Sequence, residues 1–122
     1  MHELSIAQSI IEGAAAELER YPENRVAAVH LQVGVLSGVV KEALLFSYDL
    51  AAEGTPLQGS RLEIENIAAA VFCPICREER VLDSIQNFRC PVCLSPTPEV
   101  IRGRELLITA LELENGYAAA AC

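Results

Sequence analysis

Two cysteine pairs of the same form constrain the fold of this chain most strongly. In each pair a proline and an aliphatic residue separate two cysteines, and thirteen residues lie between the Cys73/Cys76 pair and the Cys90/Cys93 pair. Four thiolates at this spacing can form a tetrahedron around Zn(II). Because four protein ligands leave no open position for water or substrate, the predicted zinc site is structural. We expect residues 71–100 to form a zinc-binding module that depends on the metal for folding.

Other uses of these cysteines are less favoured. Two disulfides would require an oxidising compartment. A redox-active Cys-x-x-Cys motif would leave the second pair without a role, and an iron–sulfur cluster does not require two matched pairs. The fifth cysteine, Cys122, is expected to be an exposed thiol on the C-terminal tail. An intermolecular disulfide or an extra metal ligand are the alternatives for it.

The charge and the apolar pattern exclude several classes of protein. The formal net charge is −8 at pH 7, which is unfavourable for binding nucleic acid or an anionic membrane. Near the cysteines, arginines are offset by Glu78 and Glu79, so that no basic face results. No apolar run reaches about 18 residues, and the first residues do not form a signal peptide. The chain is therefore expected to be cytoplasmic.

The hydrophobic periodicity predicts an α+β fold. The expected elements are a helix from Ser5 to about Arg20, a strand over 25–35, a helix over 41–53, a strand over 61–67 and a strand over 104–114. They predict a small three-stranded sheet with both helices on one face, plus the inserted four-cysteine zinc knuckle module. In the last strand the apolar residues change parity, which predicts a bulge near Ala110.

The same pattern predicts the domain organisation. Residues 1–70 together with 101–116 should form one α+β domain, residues 71–100 the zinc-binding module and residues 117–122 a flexible tail. The two strands that flank the inserted module are expected to be antiparallel neighbours in the sheet.

The first three residues form a candidate metal chelate. Ser5 and Gln8 match a helix capping box, which predicts that Met1, His2 and Glu3 precede the helix as a free arm. The Met1 amine, the deprotonated amide nitrogen of His2 and its imidazole can form fused chelate rings that suit Ni(II) or Cu(II). The amide or carboxylate of Glu3, or a group from a partner, would complete the coordination. His30, on the polar face of the first strand, is expected to be an ordinary surface histidine.

Several short motifs, in one order along the chain, resemble the HypA/HybF family of hydrogenase maturation factors. The resemblance covers roughly residues 1–114, and its most specific part is the combination of the terminal Met-His-Glu with the two cysteine pairs. The matching segments are 1–5, 33–37, 42–44 with Phe46, 61–64, the four cysteines and 103–106.

This resemblance implies a nickel metallochaperone. Its members bind Ni(II) through the terminal Met-His-Glu and Zn(II) through the four cysteines. They act with the GTPase HypB and insert nickel into the precursor of the [NiFe]-hydrogenase large subunit. Carried over here, Met1, His2 and Glu3 would hold nickel. Some relatives also serve urease, which adds urease maturation proteins as candidate partners, and the resemblance is compatible with a monomer or a dimer.

Two departures and two competing functions accompany this resemblance. The tail 116–122 extends past the usual end of the family, and no histidine flanks the zinc cysteines here, although some relatives have one. The main alternative is a zinc-stabilised protein-interaction adaptor without nickel transfer. A metal-dependent enzyme is disfavoured, because the sequence contains no phosphate-binding loop and no nucleophile–histidine arrangement.

Overall fold

The computed structural model describes residues 2–82, 87–114 and 116–119. Within them the elements are α1 (His2–Leu18), β1 (Val26–Gly34), α2 (Lys41–Ala52), β2 (Arg61–Ile67), β3 (Ala70–Cys73), β4 (Glu78–Val81), β5 (Glu99–Arg102), β6 (Leu106–Leu113) and β7 (Gly116–Ala119). The predicted α+β class is confirmed. The chain divides into two compact units. Unit 1 comprises Met1–Gln32, Val39–Glu65 and Leu107–Cys122, and unit 2 comprises Val33–Gly38 and Asn66–Leu106.

The larger sheet differs from the predicted one in strand number and order. Its strands lie in the order β2-β1-β6-β7, so β1 separates the two strands that were expected to be neighbours. In β1, Val29, Leu31 and Val33 are buried while His30 and Gln32 are less so, as the alternating pattern predicted. A strand with so many buried residues is favoured in the interior of a sheet, where it is paired on both edges.

Part of the predicted flexible tail is a strand. Residues Gly116–Ala119 form β7, which pairs antiparallel with β6 from Ala110↔Ala119 to Leu113↔Gly116. The prediction of a tail without structure was therefore wrong for residues 117–119, because a segment without an apolar pattern can still pair through its backbone groups. Residues 120–122, including Cys122, lie outside the described residues.

The helices of unit 1 contact each other, as helices on one face of a sheet do. In α1, the buried residues Ala7, Ile10, Ile11 and Ala14 recur at helical spacing. In α2, Leu44, Tyr48 and Ala52 form the buried side. The Tyr48 hydroxyl lies 2.6 Å from that of Ser60, and both are buried, so the core polar groups of this helix are satisfied.

Two side chains of β6 contact His30 of β1. The Thr109 hydroxyl donates to the His30 carbonyl at 3.4 Å, and Glu112 Oε1 lies 3.4 Å from His30 Nε2. The pairing of β6 with β7 keeps one register from Ala110 to Leu113. The bulge expected near Ala110 from the change of parity stays a prediction.

The start of α1 differs from the prediction. The helix begins at His2 rather than at Ser5 or Ile6, so His2 and Glu3 belong to the first turn and do not form a free arm. Glu3 is the acidic residue of that turn, where a negative charge is favoured by the helix dipole. Its carboxylate accepts a hydrogen bond from the Val40 N–H at 3.1 Å. Ser5 lies inside the helix, so the predicted Ser5–Gln8 capping box does not form its start.

Unit 2 contains a three-stranded antiparallel sheet in the order β4-β3-β5. The sequence did not predict these strands, because each has only four residues and lacks clear alternation. The apolar cluster of the unit is small. It consists of Ala69, Val71 and Leu82, with partly buried Leu36, Phe88 and Val100 packed against them.

Two glycines in unit 2 allow a close approach of two backbone segments. A Cβ on Gly34 would lie 2.1 Å from the Gly103 carbonyl carbon and oxygen. The Leu36 N–H donates to the Gly103 carbonyl at 2.6 Å, and the Gly34 N–H to the Glu105 carbonyl at 2.7 Å. The segments 33–37 and 103–106, both part of the family resemblance, therefore meet here.

Among the described residues, no helix combines the length and apolar character needed to cross a membrane.

Candidate metal centre

The four predicted zinc ligands lie together in unit 2. The sulfur atoms of Cys73, Cys76, Cys90 and Cys93 are all within 4.8 Å of one another. Two of the distances between the pairs are 3.4 Å from the Cys73 sulfur to the Cys93 sulfur and 3.9 Å from the Cys76 sulfur to the Cys90 sulfur. A tetrahedral site with Zn–S bonds of about 2.3 Å requires sulfurs about 3.8 Å apart. All four are free thiols rather than disulfides.

The two cysteine pairs form turns of the same conformation. The backbone N–H of the fifth residue donates to the carbonyl of the first cysteine in both turns, from Arg77 to Cys73 at 2.7 Å and from Leu94 to Cys90 at 2.9 Å. Within the described part of the chain, Arg77 and Leu94 are also the two non-glycine residues with positive φ, at 57° and 67°. The left-handed residue reverses the chain after each turn. Both turns are therefore built as metal knuckles.

Backbone N–H groups in each turn point at a cysteine sulfur. The Cys76 N–H bonds the Cys73 sulfur at 3.3 Å, and the N–H groups of Val92 and Cys93 bond the Cys90 sulfur at 3.4 Å. Such donors stabilise a thiolate. The two-residue gap between the cysteines is what places these donors, so the spacing predicts the electrostatics as well as the geometry.

Each knuckle lies in a short hairpin. The first joins β3 to β4, with Cys73 opposite Glu78 in the register. The second is closed by a bridge between Arg89 and Pro96, and the Cys90 N–H donates to the Ser95 carbonyl at 2.9 Å. Two hairpins thus present their ligands towards one point.

The thiols perturb one another strongly. The hydrogen bond with the Cys93 sulfur contributes most to raising the pKa of Cys76 to about 12. Burial opposes ionisation of Cys90, but the N–H groups of Cys93 and Val92 and the nearby Arg80 lower its pKa to about 6. The pKa of Cys93 is lowered, chiefly by Ser95. Four sulfurs this close cannot all ionise without a cation, which is what a divalent metal supplies.

Arg80 is a residue of the site that the sequence did not single out. Hydrogen bonds to the sulfurs of Cys90 and Cys76 contribute most to raising its pKa further above the usual range. Its Nη1 also donates to Glu78 Oε1 at 3.0 Å. A guanidinium here offsets part of the negative charge of four thiolates. Its position four residues after Cys76 does not predict a role in the site, because the approach of its side chain to the sulfurs depends on the pairing of β3 with β4.

The predicted nickel residues lie in unit 1. His2 opens α1, and Glu3 follows in the same turn, whereas Met1 lies outside the described residues. The Val40 N–H is the largest cause that lowers the pKa of Glu3. The sequence did not predict that Val40, the residue before α2, would hold this carboxylate. Among the described residues, the four cysteines are the group of three or more potential ligands close enough to share an ion.

His30 belongs to β1 and to unit 1. Its Nε2 is 3.4 Å from Glu112 Oε1, and its side chain is 34% exposed. Glu112 in turn lies 3.5 Å from an Arg61 Nη. Such a cluster of polar side chains is common on the polar face of a sheet, and the expectation that His30 is an ordinary surface histidine stays a prediction.

The fold and the cysteine site define a small metal-handling α+β protein, and comparison with known proteins gives its family. The model of the family described as "Hydrogenase/urease nickel incorporation, metallochaperone, hypA" matches residues 1–113. The chain therefore belongs to the HypA family of nickel-incorporation metallochaperones.

Individual relatives agree with this assignment. The hydrogenase maturation factor HypA of Chloroflexus aurantiacus is 48% identical over 112 residues, covering 92% of this chain and 98% of the relative. That of Roseiflexus sp. is 44% identical, with 94% of each chain covered. The solution structure of the Ni metallochaperone HypA from Helicobacter pylori has the same fold. Its TM-score is 0.65 at 18% identity, over 91% of this chain and 96% of the other.

Proposed function

We propose that this chain carries Ni(II) at its N-terminus and delivers it, with a HypB-type GTPase, to the precursor of the [NiFe]-hydrogenase large subunit. It does so in the cytoplasm and without catalysing a reaction of its own. The observation that carries the proposal is the position of His2 and Glu3 in the first turn of α1, in a chain whose family serves nickel incorporation.

The position of His2 at the start of α1 suits its backbone nitrogen to metal binding. The first four N–H groups of an α-helix have no intrahelical partner, so the amide of His2 can lose its proton without breaking the helix. The positive end of the helix dipole also favours that deprotonated nitrogen. Together with the Met1 amine and the imidazole of His2, it forms a planar nitrogen set that suits Ni(II).

In the proposed nickel site the carboxylate of Glu3 is not a metal ligand. Its Oε2 accepts the Val40 N–H at 3.1 Å, an interaction that favours the ionised form. We assign the fourth coordination position to the backbone nitrogen of Glu3. The carboxylate then has two roles: it fixes the first turn of α1 and it lowers the local positive potential that would repel a metal cation.

The four cysteines hold a structural Zn(II) in this proposal. Their donor type, spacing and sulfur separations suit that ion. The apolar cluster of unit 2 has three buried members, too few to fold the unit alone. Zinc binding supplies the missing free energy, and the closed ligand set keeps the ion out of nickel transfer.

The two histidines of the chain offer a matched test. Isothermal titration of the untagged protein with Ni(II) should give one site for the wild type, no tight site for His2→Ala and an unchanged site for His30→Ala. Zinc content and the far-ultraviolet circular dichroism should be the same in all three. Equal nickel affinity in the wild type and His2→Ala would refute nickel carriage through the N-terminus and favour the adaptor function.

A further inference from the structure

The formal charge of this protein is concentrated in one of its two units. The sequence of unit 1 contains four Lys or Arg residues against twelve Asp or Glu residues, which accounts for the whole net charge of −8. Unit 2 contains five of each and is neutral by the same count. A surface of unit 1 therefore repels acidic partners and attracts basic ones over distances up to about a Debye length, 8–10 Å in ordinary buffers.

Helix α2 presents apolar side chains to solvent within this acidic unit. Phe46 is 66% exposed and Leu50 is 50% exposed, four residues apart on the same side of the helix. The buried residues Leu44 and Tyr48 are on the opposite side. Exposed Glu42 and Asp49 flank the two apolar residues. We call Glu42, Phe46, Asp49 and Leu50 the α2 outer stripe.

We propose that the α2 outer stripe is the docking surface for a protein partner that presents an apolar groove with Lys and Arg residues at its rim. Two apolar anchors four residues apart on a helix fit the helix-in-groove mode of recognition. An exposed phenylalanine has the size of the aromatic anchors that dominate binding energy. The flanking carboxylates would select a basic rim and accelerate association.

Other occupants fit the stripe less well. A second copy of this chain would bring a second unit of charge −8 against the first, and like charges across an interface are destabilising. Anionic lipids and nucleic acids are repelled for the same reason. A basic protein groove satisfies both the apolar and the acidic parts of the stripe.

The α2 outer stripe is close to the proposed nickel site in the first turn of α1. Val40, whose N–H bonds Glu3, immediately precedes α2. Phe46 lies six residues further, which corresponds to about 9 Å along the helix axis. A partner seated on the stripe would therefore also be near the first turn of α1.

The test uses two purified proteins as probes, the GTPase and the large-subunit precursor. The inference rests on the proposed function only because that function names these two proteins as partners. Binding of each to the full-length chain is measured by biolayer interferometry. At least one should bind the wild type. Phe46→Ser/Leu50→Ser should weaken that binding about tenfold or more, as expected for loss of hot-spot anchors. Val81→Ser, which changes a 55% exposed residue of neutral unit 2, should leave it unchanged.

A charge variant provides a second, independent measurement. Asp49→Lys should slow association, and this effect should shrink as salt is raised. Circular dichroism and zinc content verify that the variants fold, and a Ni(II) titration of the same samples tests nickel carriage separately. The inference is overturned if neither probe binds the wild type, or if both probes bind the double variant as tightly as the wild type. It is also overturned if Asp49→Lys leaves the association rate unchanged.

Discussion

At the scale of single residues, the metal knuckles depend on backbone conformations that most side chains disfavour. Arg77 and Leu94 both adopt positive φ immediately after the second cysteine of a pair. For an L-residue this conformation costs roughly 1–2 kcal/mol. The cost is tolerated because the reversal allows the N–H of the same residue to bond the carbonyl of the first cysteine.

Leu94 offers a direct test of this cost. Its side chain is 66% exposed, so Leu94→Gly removes the strain with little loss of packing. After the entropic cost of glycine, the metal-loaded protein should gain about 0.5–1 kcal/mol in its free energy of unfolding in urea. The matched control is Val92→Gly, with 67% exposure and no positive φ. It should lose stability, and a loss in both variants would contradict the role assigned to Leu94.

The metal ligands were the part of the site that the sequence predicted best. Cys73, Cys76, Cys90 and Cys93 were predicted because ligand type and spacing determine a metal site almost by themselves. Arg80 was missed, because its approach to the sulfurs follows from strand pairing. The bond from Val40 to Glu3 was missed because it joins residues 37 positions apart, which the packing of α1 against α2 brings together.

At the scale of elements, strongly periodic segments were predictable and short ones were not. The bounds of β2 were predicted correctly and those of α2 to within one residue. Strands β3, β4 and β5 were missed, because four residues do not establish a period. β7 was also missed, because the Gly-Tyr-Ala-Ala segment has no alternating pattern and pairs through backbone groups with β6.

The close approach of segments 33–37 and 103–106 requires glycine at position 34. Gly34→Ala places a methyl group against the Gly103 backbone, which cannot move without breaking the bonds to Leu36 and Glu105. The variant should lose about 3 kcal/mol or more in thermal or urea unfolding.

Another glycine serves as the control for this substitution. A Cβ on Gly13 of α1 would be in ordinary contact, 3.6 Å from Ile108 Cδ1. Gly13→Ala should therefore stabilise the helix by up to about 1 kcal/mol. Similar effects of the two substitutions would show that the close approach at Gly34 is not needed for the fold.

At the scale of the whole molecule, the two units differ in what stabilises them. Unit 1 has buried residues on two helices and in β1, whereas unit 2 has a three-residue apolar cluster and the four-cysteine site. Unit 2 should therefore depend on its metal much more than unit 1 does.

The distribution of tyrosines makes this difference measurable. Tyr21, Tyr48 and Tyr117 all belong to unit 1, so tyrosine fluorescence reports on that unit alone. Removal of the proposed zinc ion with a strong chelator should increase hydrogen exchange over residues 66–106 while the tyrosine emission stays constant. If the tyrosine emission changed at the same chelator concentration as the hydrogen exchange, the metal site would stabilise both units.

In the proposed nickel site, the α-amine of Met1 and the adjacent His2 hold the ion together. The most direct measurement compares Ni(II) binding to the untagged protein with binding to a form that has one extra residue before Met1, with zinc content equal in both. The first form should have one tight site with the d–d absorption of square-planar Ni(II), and the second form should lack both. The same affinity and the same absorption in both forms would contradict this assignment.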